Sequence, residues 1–309
     1  MFLVEVLKAI TQGIVQGITE WLPVSSTGHI LLLDAVWKMD ASEAFFDVFK
    51  VIIQLGSIMA VLVLYFHKLN PFSKRKSDTE KRDTWVLWSK VLVASIPAAI
   101  VGFLLDDLID NVLSVPVVIA TALIVYGIAF IWMESRKNVQ VKVHDLKEIS
   151  YKRALGIGAF QMLALIPGTS RSGSTILGAS LLGTSRAVAA EFSFFMAIPV
   201  MLGASALKVV KYFFLDDFCA VCGRILADED VANTICLQCG GTVMHPTFTA
   251  EEWILLAVAT VVSFVVSVLV IRFLMAYIKK HDFKVFGWYR IVLGLIIVLC
   301  LCFAPAIFQ

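Results

Sequence analysis

The chain has 309 residues, 59% of them hydrophobic and only 16% charged, with a formal net charge of +2. Water-soluble domains run at about 45–50% apolar and about 25% charged, so this composition excludes an ordinary soluble globule. The net charge carries no message about nucleic acid, and no nucleic-acid partner is expected.

The first segment, residues 2–33, is apolar but broken by Gln16, Glu20, Pro23 and Ser25 to His29. Its start carries Glu5 and Lys8 instead of a basic leader, and its apolar run continues past any cleavage position, so it is expected to stay in the mature chain. Six longer apolar runs follow, at 51–66, 86–105, 115–133, 192–214, 253–275 and 285–303. A bilayer core of ~30 Å needs about 20 mostly apolar residues as a helix, and lipid offers the backbone no partners. Each run is therefore expected to be a transmembrane helix.

Loop charge orients these runs. Lys68, Lys74, Arg75, Lys76, Lys81 and Arg82 fill the loop at 67–84, and six further basic residues fill 134–153. Both read as cytoplasmic, as do Lys279, Lys280 and Lys284. The stretch between the first two loops has Asp106, Asp107 and Asp110 and no base, and 215–252 holds seven acids and one Arg, so these read as external. Threading the spans through these assignments leaves residues 2–33 and 154–182 entering and leaving on one face each. The expected fold is an all-α polytopic membrane protein with six transmembrane helices plus two re-entrant helix hairpins in inverted repeats, and both termini outside. Its membrane domain comprises 1–214 and 251–309, separated by a small Cys-rich insert at 215–250.

The two hairpin segments resemble each other. In each, a Gln (Gln16, Gln161) opens the motif, a Pro (Pro23, Pro167) follows six or seven residues on, and Gly28 or Gly173 comes after a Ser-rich turn. The spans that follow carry Gln54-Leu-Gly56 and Met201-Leu-Gly203. Inverted repeats with interrupted helices place their site near the bilayer midplane, between the repeats.

The breaks carry the chemistry. Pro removes an amide donor and clashes with the preceding turn. Ser25, Ser26 and Thr27 then stand where a new helix would be N-capped, as do Thr169 and Ser170 after the second break. Helix N-termini expose free N–H groups and a partial positive charge, which suit phosphate. Arg171 lies within an apolar segment, where a lone cation is costly; its guanidinium fits phosphate oxygens, the alternative being an ion pair with Glu20 or Glu191. Gln16 and Glu20 share a helix face and suit a hard divalent cation. Ser26 and His29 are three residues apart and provide a nucleophile and a base whose order of roles is open.

At these residues the sequence resembles the undecaprenyl-diphosphatase family, the bacitracin-resistance type of membrane phosphatase. The matching motifs are Gln16-x-x-x-Glu20 running into Leu22-Pro-Val-Ser-Ser-Thr-Gly-His29, and Pro167-Gly-Thr-Ser-Arg-Ser-Gly173. Ile53-Gln-Leu-Gly56 and Glu191-Phe-Ser-Phe194 support them. The resemblance implies hydrolysis of undecaprenyl diphosphate to the monophosphate and phosphate at the outer face of a bacterial plasma membrane, recycling the lipid carrier for cell-wall synthesis. It implies Mg²⁺ or Ca²⁺ held by Glu20 and Gln16, catalysis by Glu20, Ser26, His29 and Arg171, and phosphate binding by Ser25, Thr27, Ser170, Arg171, Ser172 and Thr175. The first position of the acidic motif is here Gln16 and not Glu, which weakens any scheme needing two carboxylates on the metal. Implied partners are the polyprenyl diphosphate and membrane lipids, with a homodimer left open. A flippase or secondary transporter of the same architecture is the alternative.

The insert departs from that pattern. Cys219-x-x-Cys222 and Cys236-x-x-Cys239 lie 13 residues apart, each pair followed by Gly, which is the spacing of a four-Cys zinc ribbon holding structural Zn²⁺. Two disulfides are the rival in an oxidising compartment, and a rubredoxin-like iron site is a third reading.

Overall fold

The computed structural model describes residues 2–108, 113, 115–136, 140–215, 218–219, 243–244 and 248–303. In chain order the helices are α1 (Phe2–Thr19), α2 (Ser26–Val36), α3 (Glu43–Leu64), α4 (Phe66–Leu69), α5 (Asp78–Leu108), α6 (Pro116–Ser135), α7 (Tyr151–Met162), α8 (Arg171–Leu181), α9 (Arg186–Val210), α10 (Ala250–Tyr277) and α11 (Lys284–Phe303). Seven of them are long and apolar enough to cross a bilayer, α1, α3, α5, α6, α9, α10 and α11. The last six correspond to the six expected spans.

The seventh, α1, doubles back. The Lys8 ammonium donates to the Lys38 carbonyl at 2.6 Å and the Asp40 amide donates to Glu5 at 3.0 Å, so the end of α2 returns beside the start of α1. With 11 residues, α2 is about 16 Å long, half of a bilayer core. α7 and α8 form the second such pair, joined through a short 3₁₀ turn at Leu163–Leu165.

The helices are amphipathic in the sense opposite to that of a soluble protein. On α1, Gln12, Gln16, Gly13 and Gly17 face inward, while Leu3, Leu7, Ile14 and Ile18 face out. A surface of Leu, Ile, Val and Phe suits lipid, and the small inward residues let backbones approach. A Cβ at Gly17 would sit 2.8 Å from the Ser263 carbonyl oxygen of α10. Across the molecule, a Cβ at Gly127 of α6 would sit 2.7 Å from the Gly287 carbonyl of α11, and one at Gly287 would sit 2.8 Å from that of Gly127.

The packing is reciprocal between halves. α1 of the first half packs on α10 of the second, and α7 of the second half packs on α5 of the first. α6 and α11, the last helices of the two halves, pack on each other, as do α3 and α9. Each half contributes one returning hairpin and three crossings. An odd number of crossings places the second half upside down relative to the first, so the halves are inverted repeats. Trp21, Phe192, Phe194, Phe195 and Ile176 form the core between the hairpin tips and α9.

Of the Cys-rich insert, the backbone of Phe218–Cys219 pairs antiparallel with Val243–Met244 in a two-residue ladder. Cys222, Cys236 and Cys239 lie outside the described residues, so the zinc-ribbon expectation does too.

Candidate active site

The two proline breaks produce matching turns. Ser25 caps α2 with its Oγ accepting from the Gly28 amide at 3.4 Å, and Ser170 caps α8 with its Oγ accepting from the Gly173 amide at 3.1 Å. Ser25 has φ 76° and Ser170 φ 72°, the only non-glycine residues with positive φ among those described. Such backbone is strained by about 1–3 kcal/mol per residue and persists where the surroundings enforce it. Gly168, at φ 92°, adds a steric demand: a Cβ there would lie 2.5 Å from the Ile119 carbonyl oxygen of α6.

The two tips are bound to each other. The Ser172 hydroxyl is within bonding distance of the carbonyls of Glu20 (3.0 Å) and Leu22 (3.2 Å). Arg290 of α11, fully buried, donates to the Pro23 carbonyl at 3.0 Å and to those of Gly168 and Thr169 at 2.8 Å each. One guanidinium thus clasps both breaks, with the Tyr126 ring 5.4 Å away. Gly173 makes room for it, since a Cβ there would sit 3.0 Å from Arg290 Nη1.

Glu20 is the hub of the floor. Its Oε2 accepts from Gln16 Nε2 at 2.9 Å and from the Ser26 hydroxyl at 2.8 Å, and its Oε1 accepts from Arg171 Nη2 at 2.8 Å. Arg171 also donates from Nη1 to the Ser193 carbonyl at 2.9 Å and lies 5.5 Å from the Trp21 ring centroid. Arg171 Nε and Gln16 Oε1 are buried without a partner in the structure, as are both carboxamide atoms of Gln161. Above this floor is a cavity of about 770 Å³ whose lining includes Glu20, Ser25, Ser26, Thr27, Ser170, Arg171 and Gln161.

The expected site therefore assembles in part. Ser25, Ser26, Thr27, Glu20, Ser170 and Arg171 meet at one cavity, with Gln16 immediately behind Glu20. The alternative pairing of Arg171 with Glu20 is present, and Glu191 instead meets Lys68 at 2.5 Å. Three residues stand elsewhere. His29 does not line the cavity; its ring nitrogens meet the Ser25 carbonyl at 2.6 Å and the Tyr289 hydroxyl at 2.7 Å. Thr175 is buried on the Ser193 hydroxyl at 2.6 Å, and Ser172 is spent on the strap between tips. Arg290 is the residue that sequence reasoning missed, although it is the one charge in the apolar run 285–303. The cost argument applied to Arg171 would have found it.

A fold of two inverted, hairpin-bearing halves around a cavity floored by Glu20, Arg171 and serine hydroxyls defines a multi-pass membrane protein with an internal polar site. Residues 9–296 match the family described as bacitracin resistance protein BacA, and the chain belongs to that family. It is 52% identical over 299 residues to the undecaprenyl-diphosphatase of Enterococcus faecalis strain V583, covering 96% of this chain and 98% of that protein. It is 53% identical over 295 residues to undecaprenyl-diphosphatase 1 of Clostridioides difficile strain 630, covering 96% of each. Against the undecaprenyl-diphosphatase of Lactiplantibacillus plantarum it is 52% identical over 297 residues, covering 96% of this chain and 98% of the relative.

Proposed function

We propose that this protein is an undecaprenyl-diphosphate phosphatase, hydrolysing the lipid diphosphate to undecaprenyl phosphate and inorganic phosphate. The observation that carries the reading is the Glu20–Arg171–Ser26 cluster at the meeting point of two helix N-termini, in a chain about half identical to proteins of that name. The relatives' names favour hydrolysis over the transporter alternative.

The diphosphate head lies across the cavity floor. The N-terminal turns of α2 and α8 present backbone N–H groups, and Ser170 and Thr27 present hydroxyls. Arg171 turns its unpartnered Nε, or an Nη group released from Glu20, to the terminal phosphate, where charge builds at transfer. The Ser26 oxygen, 2.8 Å from Glu20, attacks the terminal phosphorus as its proton passes to the carboxylate. The bridging P–O bond breaks, and undecaprenyl phosphate leaves with the electron pair. Water then cleaves the phosphoserine, releasing phosphate and restoring Ser26. His29 steadies α2 through Ser25 and Tyr289 and so acts as a positioning residue.

The donor set fits a hard divalent cation, Mg²⁺ or Ca²⁺, shared with substrate. Among the described residues no cluster of three or more His, Cys, Asp or Glu could hold a metal by itself. Glu20, however, is bonded to Gln16 through Nε2, the Oε1 of the same carboxamide is buried with no donor, and Mg²⁺ sites commonly combine one or two carboxylates with phosphate oxygens. When bound, the cation would neutralise charge on the phosphate oxygens. The positive loops at 67–84 and 134–153 support an orientation with the cavity opening to the extracytoplasmic side, and the bacterial relatives support a bacterial plasma-membrane location.

The test is phosphate release from undecaprenyl diphosphate by purified protein, after chelation and after restoring Mg²⁺ or Ca²⁺. Activity that survives exhaustive chelation removes the metal from the scheme. Absence of release under every condition sinks the phosphatase reading.

A further inference from the structure

One constant offset in numbering relates the two hairpins. It carries Gly13 to Gly158, Gln16 to Gln161, Ser25 to Ser170, Ser26 to Arg171 and Gly28 to Gly173. The structure keeps that register. Ser25 and Ser170 both cap with positive φ and accept from the amides of Gly28 and Gly173. A Cβ at Gly13 would collide with the Ala259 carbonyl oxygen of α10, and one at Gly158 with the Ala94 carbonyl oxygen of α5. Gln16 and Gln161 are therefore the same position of the two repeats, each in the last turn of its helix.

The two glutamines are served differently. Gln16 donates from Nε2 to Glu20 at 2.9 Å. The same offset places Leu165 where the first repeat has Glu20, so Gln161 has no carboxylate to meet. It is 1% exposed, and neither its Nε2 nor its Oε1 has a partner. Ser95 of α5, on the same cavity, gives its proton to the Val91 carbonyl at 2.8 Å instead. A buried amide without partners has lost its hydration and gained nothing, whereas Leu or Met would fill that space without the penalty. An unsatisfied pair of this kind calls for a ligand met in the working state.

The cavity identifies that ligand. Gln161 shares its lining with Glu20, Ser26 and Arg171, and with Ile96 and Ala99 of α5. α7 packs on α5, and Gly158 touches that helix at Ala94 one turn before Gln161. Gln161 thus stands where the polar floor meets the apolar α5 wall. Ser26 and Arg171 serve the terminal phosphate, where the bond is cut. The other phosphate carries the prenyl ester and so lies toward the apolar wall. Its oxygens only accept, which suits an amide donor.

We propose that Gln161 is the recognition residue for the lipid-side phosphate: its Nε2 donates to a non-bridging oxygen of that phosphate, with Oε1 turned to a water of its shell, so that the site selects a lipid-borne diphosphate over a lone phosphate. The proposal rests on the phosphatase reading. The lipid-side phosphate does not change its bond to the prenyl chain during hydrolysis, so Gln161 holds substrate and transition state alike. Such uniform binding appears in KM and not in kcat.

The experiment measures phosphate release from undecaprenyl diphosphate, inhibition by undecaprenyl phosphate and by inorganic phosphate, and the unfolding midpoint in detergent. It compares the purified parent with Gln161→Leu and Gln161→Met; the unbranched Met variant decides where the two differ or where Gln161→Leu does not fold. A hydrogen bond to a charged group corresponds to about 10–100-fold in affinity. KM for the diphosphate and the inhibition constant of undecaprenyl phosphate are expected to rise by about that factor, with kcat and the inhibition constant of inorganic phosphate little changed. The midpoint should stay level or rise, since two unpaired buried polar atoms are removed. Parent values of KM and of the undecaprenyl phosphate constant overturn the assignment. A lowered midpoint also overturns it, because it shows that the carboxamide is bonded within the fold. A parent protein that releases no phosphate overturns the phosphatase reading instead, and the binding of undecaprenyl phosphate to parent and variants still tells the two failures apart.

Discussion

Arg171 and Glu20 form a buried ion pair, and a double-mutant cycle separates its structural role from its chemical one. Their side chains are 11% and 6% exposed, so solvent screens the pair little. Arg171→Ala leaves the Glu20 carboxylate with only the Gln16 amide and the Ser26 hydroxyl as donors. Breaking a buried pair by removing one partner costs ~3–5 kcal/mol, because the survivor remains charged and underserved. Glu20→Ala strands the guanidinium on the Ser193 carbonyl and the Trp21 ring, with a cost of the same order. The double variant removes both charges and is expected to recover stability, giving a coupling of about 1–3 kcal/mol in unfolding measured in detergent. Turnover must behave differently. Removing a donor to developing oxyanion charge lowers kcat by about 10²–10³, and the double variant regains none of this. Recovered stability with unrecovered phosphate release identifies a working pair. If Arg171→Ala is folded and retains turnover within about tenfold of the parent, the ion pair is structural and the proposed chemistry is refuted.

Three further outcomes follow from the same geometry. Arg290→Leu leaves three buried carbonyls without their donor, each costing about 1–3 kcal/mol but offset by the removal of a buried cation; a net loss of about 2–4 kcal/mol is expected, together with lost phosphate release. An unfolding midpoint unchanged from the parent would show that the tips hold together without the clasp. Ser170→Gly relieves backbone strain of about 1–3 kcal/mol and forfeits a few tenths for the cap plus about 0.5–1 kcal/mol of chain entropy. It should be neutral to stabilising in thermal unfolding, and a clear destabilisation would show that the positive φ is not strained. For the insert, a four-Cys zinc site predicts one Zn²⁺ per chain by elemental analysis and all six thiols of the chain titratable after chelation and unfolding. Two disulfides leave only Cys300 and Cys302 to react, so two titratable thiols and no zinc would eliminate the ribbon.

The fold was legible where a residue conflicts with its surroundings. Pro23 and Pro167 interrupt apolar runs, and both breaks proved to be hairpin turns capped by the serines that follow. Arg171 and Glu20 are costly in an apolar segment, and they are found together. The exchange of hairpins between halves was not legible. It depends on Gly13 and Gly17 meeting Ala259 and Ser263, contacts between small residues that leave no charge or periodicity signal. The direction of His29 could not be read either. Three residues after Ser26 it shares the helix, but Tyr289, distant in sequence, supplies the hydroxyl that its ring meets. Thr175 reads as a phosphate ligand from motif position alone, whereas its bond to Ser193 depends on how α8 packs against α9.

The charge on the floor explains why one carboxylate and two arginines are placed in the interior together. Arg171 and Arg290 are cations, Glu20 offsets one of them, and the N-termini of α2 and α8 each add roughly half a positive charge. The floor and the clasp behind it therefore carry about two positive charges in a setting of low dielectric, where each is felt strongly. Without a bound anion that excess is held by carbonyls of Pro23, Gly168, Thr169 and Ser193, which stabilise cations but cannot neutralise them. A diphosphate supplies compensating charge in one ligand, and hydrolysis divides that charge between two products. Each product matches the floor less well than the substrate, so the electrostatics that bind the diphosphate also favour release once the bridging bond is cut. An uncharged or singly charged prenyl lipid should then be a weak competitor, and a non-hydrolysable diphosphate should bind more firmly than either product.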